Sequence, residues 1–268
     1  MKKNVLLLTL VTLVILCGNS YGQKITIGAK GGFSLPNLTG GSADNPRSTG
    51  YSSRKGADGG IYGEYHVNKK FSVSLGMEYS SQGGIKNGFQ AYPTPAQMAP
   101  MFAPGPAPVN LYATFNSEAK MNYLLVPLLA RYTWKLSKKS PMRIYAAAGP
   151  FAGFLLNAKQ ITSGNSNISM MLPDKSFRIL TPQPVSFDAS TNIKPDLYSF
   201  NAGLSGFVGL SYNLTSKHAI FVEAGGNYGF MTIQRDKLNG DNKTGAAVVT
   251  IGYAYTLQSK YNQNGGRR

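Results

Sequence analysis

Phe71-Ser72-Val73-Ser74-Leu75-Gly76-Met77-Glu78-Tyr79-Ser80 sorts into two sets. Phe71, Val73, Leu75, Met77 and Tyr79 share one face; Ser72, Ser74, Gly76, Glu78 and Ser80 share the other. Successive side chains of a strand point to opposite faces, so a strict period of two predicts a β-strand with one greasy side and one small, polar side. A helix would not separate these residues into two such sets. Most of the remaining sequence reads as weaker copies of this strand.

Met1-Lys2-Lys3 is a basic head, Val5 to Leu16 an apolar core, and Ser20-Tyr21-Gly22 supplies small residues, so residues 1–22 read as a secretory signal peptide cleaved before Gln23. That apolar run is too short for a spanning helix. A lipid anchor on Cys17 is the alternative, but the bulky Leu16 stands where lipoprotein processing wants a small residue. Loss of Cys17 removes the single cysteine, so no disulfide can staple the mature chain. No later run is long and apolar enough for a membrane helix, which leaves a closed barrel as the spanning form. The net charge of +16 suits anionic lipid and lipopolysaccharide, which an exported chain meets before any nucleic acid.

Taken in order, Lys24 to Leu35 alternates with Ile25, Ile27, Ala29, Phe33 and Leu35 on one face. Pro36 to Ala57 reads as a loop, Gly59 to Val67 as a second strand, and Asn68-Lys69-Lys70 as a tight turn into the third. From Gly83 to Ala119 the alternation disappears, and Pro93, Pro95, Pro100, Pro104, Pro106 and Pro108 argue for a long loop without ladder hydrogen bonds. Met121 to Trp134 is the fourth strand, with Leu124, Val126, Leu128, Ala130, Tyr132 and Trp134 opposite Arg131. Arg143 to Leu155, rich in Ala and Gly, is the fifth, and its facing is left open. After a loop from Asn157 to Pro195 come Leu197 to Tyr212, Ala219 to Thr232 and Ala246 to Leu257. The prediction is all-β: an eight-stranded antiparallel up-and-down transmembrane β-barrel over residues 23–257, with long extracellular loops and short periplasmic turns, then a polar basic tail at 258–268.

Alternation alone does not say which face is inside, since a soluble lipocalin-like barrel alternates with its greasy set inward. Three features favour the membrane. The minority face is mostly Gly, Ser and Thr rather than the Lys and Glu of a solvated surface. Aromatics (Phe71, Tyr79, Tyr132, Trp134, Tyr198, Tyr212, Tyr228, Tyr253 and Tyr255) gather near strand ends, as interfacial girdles do. Closure also removes the unpaired edge that lipid does not tolerate.

In the last strand, Thr250-x-Gly252-x-x-Tyr255-x-Leu257 resembles the polar-x-Gly-x-x-aromatic-x-hydrophobic signal read by the barrel-assembly machinery. Gly28-Ala29-Lys30-Gly31-Gly32-Phe33-Ser34-Leu35, Tyr123-Leu124-Leu125-Val126-Pro127-Leu128-Leu129 and Tyr228-Gly229-Phe230-Met231-Thr232-Ile233 are similar to segments of the PorT-like outer-membrane β-barrel family. The similarity spans essentially all of the mature chain. It implies an eight-stranded barrel in the outer membrane of Gram-negative bacteria, without a known enzymatic site; some members assist a protein-secretion system.

Lys30, Glu64, Glu78, Arg131 and Glu223 all fall on the inner face, in the half nearer the short turns. Buried charges need partners, so the expectation is an ion-paired interior plug; a gated ion path is the alternative. Barrel enzymes acting on lipid or protein place a His with a Ser or Asp near the outer rim, whereas His66 and His218 fall toward the short-turn end, so no catalytic site, cofactor or metal is assigned. Lys69, Lys70, Lys135, Lys138, Lys139 and Lys217 form a periplasmic basic rim, matched either to inner-leaflet lipid phosphates or to an acidic envelope protein partner. Pro93 to Pro108, with Met98, Met101 and Phe102, is either a contact surface or a cap on the barrel mouth. Function is thus expected to be non-enzymatic: a structural or interaction component of the envelope, or else a narrow channel.

Overall fold

A computed structural model describes residues 24–42, 44–137 and 140–257; the predicted signal peptide, the predicted tail and Lys138-Lys139 lie outside it. Eight long strands carry the fold: β1 (Lys24–Thr39), β2 (Gly56–His66), β3 (Phe71–Pro93), β4 (Asn110–Lys135), β5 (Met142–Ser163), β6 (Phe200–Asn213), β7 (His218–Gly229) and β8 (Lys243–Leu257). Each pairs antiparallel with the next, and β8 pairs back onto β1 from Leu257–Ile25 to Lys243–Thr39, which closes the ring. Followed once around through His66, Ser72, Arg131, Ala147, Phe207, Gly225 and Val248, the register that leaves β1 at Lys24 returns at Ser34, ten residues further along. That stagger tilts the staves, and eight of them leave a lumen about as wide as its own side chains.

The opening stretch takes its predicted place. Ser72, Ser74, Gly76, Glu78 and Ser80 are buried in the lumen, while Leu75, Met77 and Tyr79 face outward, 57, 53 and 41% exposed. Ile25, Ile27, Phe33, Leu128, Trp134, Val208, Val222 and Ile251 are likewise exposed on the outer wall. An apolar surface this continuous is stable in lipid and not in water. The turns are built as their residues suggest: Asn68 Oδ1 accepts from the Lys70 and Phe71 amides at 2.8 and 2.9 Å, and Thr215 Oγ1 accepts from the Lys217 and His218 amides.

Two readings are corrected. The segment from Gly83 to Ala119 is mostly not a loop: β3 and β4 stay paired from Gly83–Lys120 up to Pro93–Asn110, a hairpin standing above the barrel. Gly83 continues the ladder at φ +119°, against the Ala119 carbonyl, where any side chain would clash. Pro93 ends β3, paired with Asn110, and the other prolines lie in the connection that follows, which holds a 3₁₀ turn over Ala96–Phe102 with no buried residue. The lumen is also not uniformly wet. Its upper part holds an apolar cluster of Leu38, Met121, Tyr123, Leu125, Phe151 and Leu155, joined from the loops by Leu197 and Ile233.

β5 turns Tyr145, Ala147, Phe151 and Leu155 inward and Ile144, Phe154 and Leu156 outward. Alanines stand on both of its faces, so composition offered no contrast between them. Opposite Asn122-Tyr123 the register slips by one, leaving Leu156 as an extra residue. Inside the ring, large rings lie over glycines directly across the ladder: Tyr145 over Gly209, Phe221 over Gly252 and Tyr62 over Gly28. Glycine there makes the volume that the neighbouring aromatic fills. Gly209→Ala should therefore lower stability by about 1–3 kcal/mol, read by urea titration of the refolded protein in micelles. Gly31→Ala, whose added methyl meets nothing within 4 Å, should leave the midpoint unchanged; equal effects at both sites would contradict this packing.

Candidate functional site

The lower lumen brings together all five interior charges read from the sequence. Lys30 Nζ lies 2.9 Å from Glu78 Oε1 and 2.8 Å from Glu223 Oε1, with the three side chains 5, 6 and 3% exposed. Arg131 Nη1 donates to Glu64 Oε2 at 2.7 Å. Each carboxylate of Glu64 and Glu223 is held further: Ser72 Oγ donates to Glu64 at 2.5 Å, and Tyr145 Oη and Thr250 Oγ1 donate to Glu223 at 2.9 and 3.3 Å. Tyr145 links the two groups, since its ring also lies 4.3 Å from the Arg131 guanidinium. Period-two geometry explains the convergence: the five charged residues come from five strands, each at an inward position, and the register stacks them across the lumen. Between Lys30, Glu78, Glu223 and Arg131 the remaining space is about 10 Å³, the least that admits one water; on the short-turn side of Arg131 a cavity of about 70 Å³ is lined by Glu64, His66, Arg143 and Tyr145.

His66 belongs to the same end, with Nε2 2.9 Å from Thr26 Oγ1 and 3.9 Å from Glu64. His218 lies by Tyr253 and Tyr255. Thr250 points into the lumen and Gly252 sits beneath the Phe221 ring, whereas Leu257 faces outward, 46% exposed. Lys69, Lys70 and Lys217 are exposed in the short turns and Lys135 is exposed at the end of β4; Lys138 and Lys139 lie outside the described residues. No cluster of His, Cys, Asp or Glu suited to a metal ion occurs among the described residues.

A family model for the outer membrane protein beta-barrel domain matches residues 20–235. The chain belongs to that family. It is an outer-membrane protein, and its closed ring of outward-facing apolar staves is the physical form such a location requires. Among solved structures it is similar to a major outer membrane protein from Thermus thermophilus, at 12% identity over 88% of this chain and 99% of the other, TM-score 0.42. It is also similar to OprG from Pseudomonas aeruginosa, at 14% identity over 89 and 97%, TM-score 0.38. Neisserial surface protein A matches at 13% identity over 86 and 96%, TM-score 0.37. No curated protein matches.

Three features of the site escaped sequence reading. Tyr145 was hidden by the undecided facing of β5. Asp58, 5% exposed and with Oδ2 lacking a partner, lies inside because β2 begins at Gly56; carrying the parity of Glu64 and Tyr62 back past Gly59 would have found it. The third is a knot at the extracellular end. Arg47, from the β1–β2 loop, donates to Asn110 Oδ1, Leu238 O, Asn239 Oδ1 and Val109 O, tying three loops together. Asp241 accepts from the Ser42 amide at 2.8 Å, and Ser48 Oγ accepts from the Asp241 amide at 3.0 Å.

Two outcomes follow from these contacts. Glu223→Gln removes a buried charge that Lys30 is paired with and should cost about 3 kcal/mol in urea unfolding, whereas Lys120→Gln, breaking a half-exposed pair with Glu118, should cost less than about 1 kcal/mol. Hydrogen bonding from Ser42 and Ser48 holds the Asp241 carboxyl below its ordinary value of 3.8. A depressed folded pKa gives stability that is present above the unfolded value and lost as pH falls through the folded one. Exchange of the Ser42 amide should therefore accelerate, after correction for intrinsic rates, as pH drops below about 4, and Asp241→Asn should abolish that dependence.

Proposed function

We propose that this protein is a non-enzymatic, non-conducting barrel of the outer membrane, acting as a structural or protein-interaction component of the envelope and of PorT-like type. The observation carrying this reading is the filled lower lumen. The Lys30–Glu78–Glu223 group with Arg131 leaves room for about one water; a cavity of about 70 Å³ beside Glu64 and His66 stops at this level, and the apolar cluster around Met121 and Phe151 stands above it. An ion crossing here would have to part salt bridges whose members are nearly all buried. The histidines support the absence of catalysis, since both lie toward the short-turn end, away from the outer leaflet.

With the lumen closed, the surfaces left for action are the two ends. The lysines of the short turns suit phosphates of inner-leaflet lipids, and lipopolysaccharide surrounds the outer half. The barrel-assembly machinery would read the last strand during insertion through Thr250, Gly252, Tyr255 and Leu257. At the outer end the β3–β4 hairpin carries the exposed Met101 and Phe89, with Phe89 4.8 Å from Phe177 and stacked on Tyr112. Such an exposed aromatic and Met surface suits a protein contact, and an envelope assembly or secretion complex is the partner class this reading assigns.

Reconstituted in planar bilayers, the purified protein should pass no steady current. Stable single-channel steps from the wild type would replace this reading with the narrow channel. Cross-linking in intact cells should recover defined envelope proteins, in amounts that fall when Phe89 and Phe177 are both changed to Ser. Recovery of bulk membrane proteins alone would remove the interaction role.

A further inference from the structure

Beneath the extracellular loops lies a cavity of about 270 Å³. Its floor is the top of the apolar cluster, with Leu38, Met121, Leu197 and Ile233 on its wall, and Arg47 and Lys86 line it as well. Both cations are buried, each 9% exposed. Among the described residues, neither has a carboxylate oxygen within 4.0 Å. Arg47 is bound by carbonyl and amide oxygens only. Lys86 Nζ donates to Pro46 O at 2.6 Å and lies 5.6 Å from the Tyr51 ring centroid. An ammonium carries three donors and a guanidinium five, so hydrogens on both groups have no protein acceptor.

This differs from the lower lumen, where Lys30 and Arg131 each contact a carboxylate. Two buried cations walling one cavity with no carboxylate in contact are costly; Asp236 acts on Arg47 only through space. Asp196, an exposed residue on the wall, contacts neither. We infer that the cavity is a binding site for a small organic anion whose charged group meets Lys86 and Arg47 and whose apolar body rests on Leu38, Met121, Leu197 and Ile233. The volume falls just under the ~300–1,000 Å³ usual for small-molecule pockets, which suits a ligand of the size of an aromatic or short-chain carboxylate. The Arg47 knot makes the site depend on loop closure, because the guanidinium that faces the anion also joins the three loops. The inference is independent of conduction, since the cavity lies above the closed lumen.

The test is isothermal titration of the refolded full chain in neutral detergent micelles with benzoate, hexanoate, inorganic phosphate and uncharged benzamide. Saturable binding of benzoate or hexanoate is expected, with benzamide and phosphate at least tenfold weaker. Lys86→Met should reduce carboxylate affinity at least tenfold and Lys86→Arg should retain it. Folding of each variant is checked by heat-modifiable mobility on gels. Should Lys86→Met not fold, the wild-type comparison of benzoate with benzamide decides alone. Absence of saturable carboxylate binding overturns the inference, as does equal affinity for the charged and uncharged probes. Equal affinity in folded Lys86→Met and wild type overturns it too, and a site that takes phosphate in preference to both carboxylates removes the apolar body from it.

Discussion

Every feature of this molecule follows from the hydrogen bonds between β8 and β1. A backbone in hydrocarbon has no water to satisfy its amides, so a spanning sheet is stable only when its first and last strands pair. Fifteen register partners run from Ile25–Leu257 to Thr39–Lys243, and they remove the edge. Closure then fixes the lumen: eight strands with a ten-residue stagger leave a width that side chains alone fill. From that point the sequence has no freedom to leave the interior empty or loosely packed. Glycines stand under aromatics, and a small residue on one strand is the volume complement of a large one on the next.

The filling comes in two kinds, and their placement follows from how rigidly each level is held. Near the short turns the strands are joined by only a few residues and the ladder breaks only beside Pro127 and Pro150, so side-chain positions are well fixed. Ion pairs need such fixity, because a carboxylate displaced from its partner in a buried site is strongly destabilising. There Lys30, Arg131, Glu64, Glu78 and Glu223 meet, with hydroxyl and phenol donors adding to Glu64 and Glu223. Higher up, residues of the long loops enter the barrel, and Leu197 and Ile233 pack on Met121 and Phe151. Apolar contacts are non-directional and tolerate the small displacements that loop-borne residues bring.

Much of this was legible in the sequence, for a reason visible in β3. Where one face meets lipid and the other a narrow lumen, the two environments differ so sharply that every second residue reports its side. β1 and β3, the strands with strong contrast, were read with the correct facing, and the five interior charges fall on the expected side. β5 resisted because Ala146, Ala147 and Ala148 fit either environment. The β3–β4 hairpin resisted for another reason: above the membrane there is no lipid face, and Gly83-Gly84 and the prolines resemble loop punctuation. What pairs those residues is the register inherited from below, a long-range effect that no local pattern records. Arg47 was missed for the same reason, since its partners come from distant segments; Asp58 was missed because β2 begins at Gly56, before the predicted start at Gly59.

The asymmetry between the two ends bears on where this barrel can act. In the lower lumen each buried cation meets a carboxylate within the protein. At the outer end Arg47 and Lys86 are just as buried, yet they are bound by neutral oxygens. A site satisfied internally contributes rigidity and has little left to offer a ligand. A site with unspent donors and an adjoining apolar floor has the means to recognise something. Arg47 ties three of the outer loops to one another, so its hydrogen bonding couples the cavity wall to the outer surface.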